Sequence, residues 1–312
     1  MNIRRTPIIS LSKAIGGYLE AAEAHHLSVK TQRDYTTTFK RFQDLLGEDL
    51  PISKITPMDI EGFLSSITVS KKTVLNYHIG LSALCTWAVS DDMVSSNIVH
   101  KVERPKPEKR AVVPFTETDI KALLSILNIS ILYTRTGKRA STHSVPNAER
   151  NRAIIFLLLD TGIRSSELCR LLINNTDLKN RRIKVMGKGT KEHSIPFCAR
   201  TGQALWKYLA TRKDETIKRH LFVTTTGNPM DPDRMLKLLY SIGRRAGIEG
   251  VHPHRFRHNF AINFLRNGGD SWSLQMMLGH STMEIVKQYL TLAQADLDKS
   301  HQMASLVDHW RQ

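Results

Sequence analysis

The sequence predicts a mainly helical protein with a small antiparallel sheet, an α+β chain in two domains. Three observations carry that prediction. Apolar residues recur at helical spacing behind Ser or Thr caps, an alternating stretch from Arg182 to Pro196 turns on Gly-Lys-Gly-Thr, and a proline-rich charged segment starts at Arg104. At 312 residues the chain is long enough for two cores.

Each element has a local reason. Ser28 caps a helix whose Tyr35, Phe39, Phe42, Leu45 and Leu46 share a face and which Gly47 stops. Thr56-Pro57-Met58-Asp59 is a start signal with Pro at the first helical position, feeding Ile60, Phe63 and Leu64. A long pattern from Lys71 to Val89 places Val74, Tyr77, Leu81, Leu84 and Trp87/Ala88 at helical spacing. Arg104-Pro105-Lys106-Pro107-Glu108-Lys109-Arg110 is an extended linker, because its prolines forbid helix and its charges forbid burial. The expected domains are therefore 1–103 and 115–312, joined by 104–114.

In the second part, Thr116 with Asp119 opens a helix ending near Leu132, and the polar, basic stretch 133–147 is a surface loop. Asn151 to Leu159 is an apolar helix. Arg182 to Met186 and His193 to Pro196 form a hairpin with Lys188 at its tip, and a further short strand is expected at Leu221 to Thr224. Near the end, Leu292, Leu297, Met303, Leu306, Val307 and Trp310 suggest an amphipathic tail helix.

Charge is unevenly shared. The net of +16 divides into about +1 over residues 1–108 and +15 over 109–312, which suits a polyanionic partner for the second part. A run of about 18 apolar residues and a signal-peptide core are both missing, so a soluble, cytoplasmic protein is expected. Cys85, Cys169 and Cys198 form no paired metal motif and read as small buried side chains in a reducing compartment.

The second part also carries an ordered set of frames. Arg164 and Glu167 lie in Thr161-Gly162-Ile163-Arg164-Ser165-Ser166-Glu167-Leu168, and Lys188 lies in Gly187-Lys188-Gly189. His254, Arg257 and His258 share His254-Arg255-Phe256-Arg257-His258, and Leu278-Gly279-His280-Ser281 is followed by Tyr289, nine residues after the histidine. With these frames the chain resembles the tyrosine recombinase (phage integrase) family, especially its short Xer-like members, over almost its whole length.

The resemblance implies a helical core-binding domain, a catalytic domain, and strand exchange between two DNA duplexes through a four-way junction. Two guanidiniums, Arg164 and Arg257, suit the charge that develops on the non-bridging oxygens of an opening phosphodiester. Tyr289 suits the nucleophile, storing the bond as a phosphoester without ATP. By resemblance His254 is the base, Lys188 the acid, His280 a phosphate contact, and Glu167 the residue that orients Arg164 and the histidines, with His258 supporting. No cofactor and no metal are implied. The implied partners are double-stranded DNA with paired half-sites and further copies of the chain, two per site and four in the assembly. A partner recombinase or accessory protein is compatible with the pattern. Lys71 and Lys72 are candidate DNA contacts, and nucleoid association is implied. Only a short segment precedes the first helix, so an arm-type DNA-binding domain is not expected.

Singly, these residues have plainer explanations. Arg164 with Glu167 is also an ordinary helical ion pair, Tyr289 a core aromatic, Lys188 a solvated turn, and Lys71 and Lys72 solvated charge. The joint order of the frames decides for catalysis. His252, His254, His258 and His280 are a poor zinc set, since neighbouring arginines repel a cation. Two other classes remain: a type IB topoisomerase with related chemistry, and a catalytically silent DNA-binding module.

Overall fold

A computed structural model of the chain describes residues 8–107, 113–128, 131–133, 141–143, 147–186, 192–212, 220–279, 282–284, 286–293 and 301. The chain divides into two compact units, Met1–Arg110 and Ala111–Gln312.

The first unit packs α1 (Leu11–Ala24), α2 (Val29–Leu46), α3 (Pro57–Ser66) and α4 (Lys71–Ser90). Side-chain caps begin all four: the oxygens of Ser10, Ser28, Thr56 and Ser70 accept from backbone N–H groups three residues on, and Asp59 returns the bond to Thr56. The core is aromatic, with Tyr18 edge-on to Phe39 at 5.6 Å and Phe42 edge-on to Phe63 at 5.1 Å. Leu45, expected on the buried face of α2, is instead 50% exposed, because it lies beyond the arc that Phe39 and Phe42 turn toward the core. Lys71 and Lys72 are exposed in the first turn of α4.

In the second unit come α5 (Glu117–Asn128), β1 (Ile131–Tyr133), β2 (Ser141–His143), α6 (Ala148–Thr161), α7 (Ser165–Arg170), β3 (Thr176–Asp177), β4 (Arg182–Met186), β5 (Glu192–Pro196), α8 (Ala199–Ala210), α9 (Pro232–Ala246), α10 (Pro253–Arg266) and α11 (Ser271–Leu278). Residues 286–293 are helical again. The order β3-β4-β5 forms an antiparallel sheet in which Ile183 pairs with Ile195 and Val185 with His193. The expected fold class, mostly helix with a small antiparallel sheet, is what the chain adopts.

At the centre is α6, whose Ala153, Ile154, Ile155, Leu157 and Leu158 are fully buried between α5, α8 and α10. A helix apolar on all sides has to be surrounded. It stops at Gly162, which takes a left-handed φ of +60°, and a Cβ there would come within 2.5 Å of Phe260 Cδ1. Both conditions select glycine, and the reversal delivers Arg164 to the start of α7.

Three further expectations fail. The helix expected to end near Leu132 ends at Asn128; Ile131–Tyr133 pairs with Ser141–His143, so the expected loop 133–147 begins and continues in a two-stranded ladder whose polar arm gave no alternation to read. At 221–224 there is no strand, only isolated bridges from Leu172 to His220 and Val223 to Pro229, since proline has no N–H with which to extend a ladder. Cys198 is exposed, placed just ahead of α8, whereas Cys85 and Cys169 are buried. The greater part of the expected tail helix lies outside the described residues. No described helix is long and apolar enough to cross a membrane.

Candidate active site

Two left-handed glycine turns and the first turns of α7 and α10 build the site. Gly162 ends α6 and Gly279 ends α11, both at φ +60°. Their carbonyls turn inward. Arg257, on α10 and only 5% exposed, donates from Nη1 to the Gly162 carbonyl at 2.8 Å and from Nη2 to the Leu278 carbonyl at 2.7 Å. Arg164 donates from Nη2 to the next carbonyl, Gly279, at 3.1 Å. Consecutive carbonyls of one turn thus hold both guanidiniums.

Glu167 completes the mount. Its buried carboxylate accepts from the Arg164 backbone N–H at 3.0 Å and from Arg164 Nη1 at 2.6 Å. This charge-assisted pair is largely shielded, so it fixes the arginine instead of merely decorating the surface. Burial, with Arg164 beside it, draws Arg257 down to about 10, still well above neutral, so Arg257 remains a cation. Arg255, between His254 and Arg257 in sequence, is spent elsewhere: it donates to the Val113 and Glu249 carbonyls and lies 4.1 Å from the Phe115 ring centroid.

Tyr289 sits on the helical segment 286–293, 3% exposed in a cluster with Phe260, Leu274 and Leu278. Its Oη lies 2.7 Å from His258 Nδ1. Burial raises the phenol, against the pull of Arg257, and lowers His258, helped by His254, His252 and Arg257. A neutral imidazole facing a protonated phenol can accept its proton. His254 stands exposed one turn earlier on α10. His252 caps that helix, its Nδ1 accepting from the Arg255 N–H at 3.2 Å.

The structure therefore brings together Arg164, Glu167, Arg257, His258 and Tyr289. Lys188 and His280 lie outside the described residues, and Lys71 and Lys72 belong to the first unit. One member escaped sequence reasoning. His193 on β5 packs its ring against Gly279, among Glu167, Arg164 and Arg257. Its signal was a histidine on the same face of the strand as the buried Ile195.

The phage integrase family model matches residues 138–296, about half of the chain and the part that holds this site. The chain belongs to the phage integrase family. It is similar to the tyrosine recombinase XerC of Bacillus pumilus, 27% identical over 299 residues that cover 92% of this chain and 88% of that protein. It is also similar to the tyrosine recombinase XerC of Thermodesulfovibrio yellowstonii, 29% identical over 297 residues covering 88% and 94%. Among solved structures, the Tn1549 transposon integrase with transposon right end DNA matches with a TM-score of 0.72 at 19% identity, over 93% of this chain and 99% of that one. The XerH site-specific recombinase bound to palindromic difH substrate matches with a TM-score of 0.69 at 20% identity, over 96% and 85%. These structures share the fold. As an Xer-like tyrosine recombinase, the chain is an enzyme of site-specific DNA cleavage and rejoining.

The half-buried histidines of this recombinase set a pH dependence. His193, His252 and His258 are all held below the ordinary 6.5, chiefly by burial. For a group whose folded pKa is depressed, stability is complete above the unfolded value and is lost as pH falls through the folded one. Thermal melts should therefore drop steadily from about pH 6.5 toward pH 5. A melting temperature flat across that window would contradict the neutral, half-buried rings.

Proposed function

We propose that this recombinase exchanges strands between two DNA duplexes at paired half-sites, through a 3′-phosphotyrosyl intermediate and a four-way junction. Two subunits act on each duplex and four in the assembly, in the cytoplasm and on the nucleoid. The observation that carries the reading is the meeting of two carbonyl-mounted guanidiniums with a histidine-bound tyrosine.

In this reading Arg164 and Arg257 hold the non-bridging oxygens of the scissile phosphate, and Glu167 keeps Arg164 aimed. Tyr289 Oη bonds to phosphorus as its proton passes to imidazole. His258 is the acceptor already in contact, and His254, the base by family resemblance, lies one turn away. The bond from phosphorus to the 5′ oxygen then breaks, and that oxygen takes a proton from Lys188 while His280 contacts the phosphate. Attack by a 5′ hydroxyl from the other duplex reverses the step and frees Tyr289. Residues 1–103 form the core-binding domain, with Lys71 and Lys72 against phosphates, 104–114 the linker and 115–312 the catalytic domain.

The test incubates the protein with two labelled duplexes carrying half-sites from the DNA that flanks its gene. Joined partner strands support the reading. Relaxation of supercoils without joining would indicate a topoisomerase, and binding without an adduct a silent binder.

Arginines supply the charge here, so cleavage should continue in excess EDTA; a loss that Mg²⁺ restores would defeat the arginine clamp. Affinity should also fall steeply with salt, by a log–log slope of roughly −0.9 for each phosphate neutralised. A flat response would count against a broad phosphate contact by the second unit.

A further inference from the structure

A third guanidinium of the second unit has no part in the chemistry above. Arg150 lies in the first turn of α6 and is only 7% exposed, whereas the clamp is built at that helix's other end. A helix of 14 residues spans about 21 Å, so the two places are distinct. Arg150 donates from Nη1 to the Val223 carbonyl at 2.9 Å, and from Nε and Nη2 to Asn151 Oδ1 at 3.2 and 3.0 Å. All of these acceptors are neutral. Among the described residues no carboxylate pairs with Arg150, and burial pulls its guanidinium down from the usual range. An interior cation held only by neutral dipoles is unfavourable until an anion meets it.

Space for an anion lies beside it. Arg150 lines a cleft of about 460 Å³ whose other walls are Tyr208, Thr211, Arg212 and the turn Thr224–Gly227. Val223 is held from both sides, because its carbonyl accepts from Arg150 and its N–H donates to Tyr208 Oη at 3.3 Å. The Tyr208 hydroxyl proton is thus left without an acceptor among the described residues, on a side chain only 3% exposed. Thr224 and Thr226 join their hydroxyls at 2.9 Å, which uses one proton of the pair. Arg212, bonded through Nη1 to the His220 and Leu221 carbonyls at 2.8 and 3.3 Å, brings a second guanidinium to the wall. Neither Asp nor Glu lines the cleft among the described residues, and Glu149, next to Arg150 in sequence, stays outside it.

We propose that this cleft is a second phosphate-binding site, holding one phosphate group apart from the arginine clamp. Guanidinium forks, a phenol and threonine hydroxyls are the donors that a tetrahedral oxyanion takes, and the cleft sets no carboxylate against it. The group comes from one of two sources: the backbone of the bound duplex away from the cut, or free phosphate and small phosphorylated molecules. The recognition chemistry is the same. The DNA source rests on the reading of this unit as one that grips a duplex, and the free source does not.

The experiment melts full-length wild type, Arg150→Met, Thr225→Glu and Thr225→Gln in rising inorganic phosphate at constant ionic strength, and measures their affinity for the flanking duplex against salt. Thr225 is exposed at the cleft, so glutamate there adds a competing carboxylate and glutamine controls for its bulk. Phosphate salts stabilise folded chains in general by exclusion from their surface, but only a bound ion saturates. With a free source, wild type and Thr225→Gln should gain roughly 5–10 °C at a hundred times the dissociation constant, and Arg150→Met and Thr225→Glu should lack that saturating part. With a DNA source, that gain is missing from all four. The log–log salt slope of duplex binding should then be shallower by about 0.9 in Arg150→Met and Thr225→Glu, the loss of one neutralised phosphate. Should Arg150→Met not fold, Thr225→Glu set against Thr225→Gln carries both arms. An equal, unsaturating rise in every protein together with an unchanged salt slope overturns the proposal. Failure of the wild type to bind the duplex at all would strike at the strand-exchange reading instead, and the phosphate melts would still decide the cleft.

Discussion

Tyr289→Phe should yield no covalent protein–DNA adduct on a nicked half-site substrate, while its affinity for the same DNA stays at the wild-type level. The substitution removes one atom, the Oη that must bond to phosphorus, and no other group in the site can form that ester in its place. The phenyl ring still fills the cluster with Phe260, Leu274 and Leu278. What is lost structurally is a single hydrogen bond to His258, about 1 kcal/mol, so the variant remains folded. Denaturing gels after incubation with labelled DNA check the result. An adduct surviving in the variant and mapping to another tyrosine, such as the half-exposed Tyr240 or the buried Tyr208, would overturn the assignment of the nucleophile.

Much of the fold was legible because its signals are local. Ser28 and Thr56 cap helices with side chains that name themselves, and the alternation across Arg182 to Pro196 marks strands wherever one face is buried. The first helix was harder. Gly16 and Gly17 weaken its pattern, yet Gly17 is there because a Cβ would meet Trp87 Cη2 at 2.8 Å, a contact visible only once α1 and α4 pack. The same limit applies at the site. Arg164, Glu167, Arg257 and Tyr289 could be found from their frames, because their side chains carry the chemistry. The carbonyls of Gly162, Leu278 and Gly279 that aim the two arginines could not, since every residue has a carbonyl and only the turns decide where these point. His258 was legible as a supporting residue, but its bond to the phenol joins helices 31 residues apart in sequence.

The two arginines should separate in a paired experiment. Arg164→Ala and Arg257→Ala should each slow cleavage by roughly 10²–10³-fold, the effect of removing one preorganised donor group from a developing negative charge. Stability should tell them apart. Arg164 is partly exposed, and its loss leaves the buried Glu167 carboxylate its bond from the backbone N–H of residue 164 and frees one carbonyl, that of Gly279. Arg257 is buried and bridges the Gly162 and Leu278 carbonyls, joining the end of α6 to the end of α11. Without it two carbonyls are left unpaired in the interior, at about 1–3 kcal/mol each. For a unit of this size that lowers the melting temperature by about 2–4 °C per kcal/mol, so Arg257→Ala should melt distinctly below Arg164→Ala. Lysine in place of Arg257 returns a charge but cannot reach both carbonyls with one ammonium, so it should restore little of either property. Equal melting temperatures with equally impaired cleavage would mean that the two guanidiniums share one role and that the turns at Gly162 and Gly279 hold without Arg257.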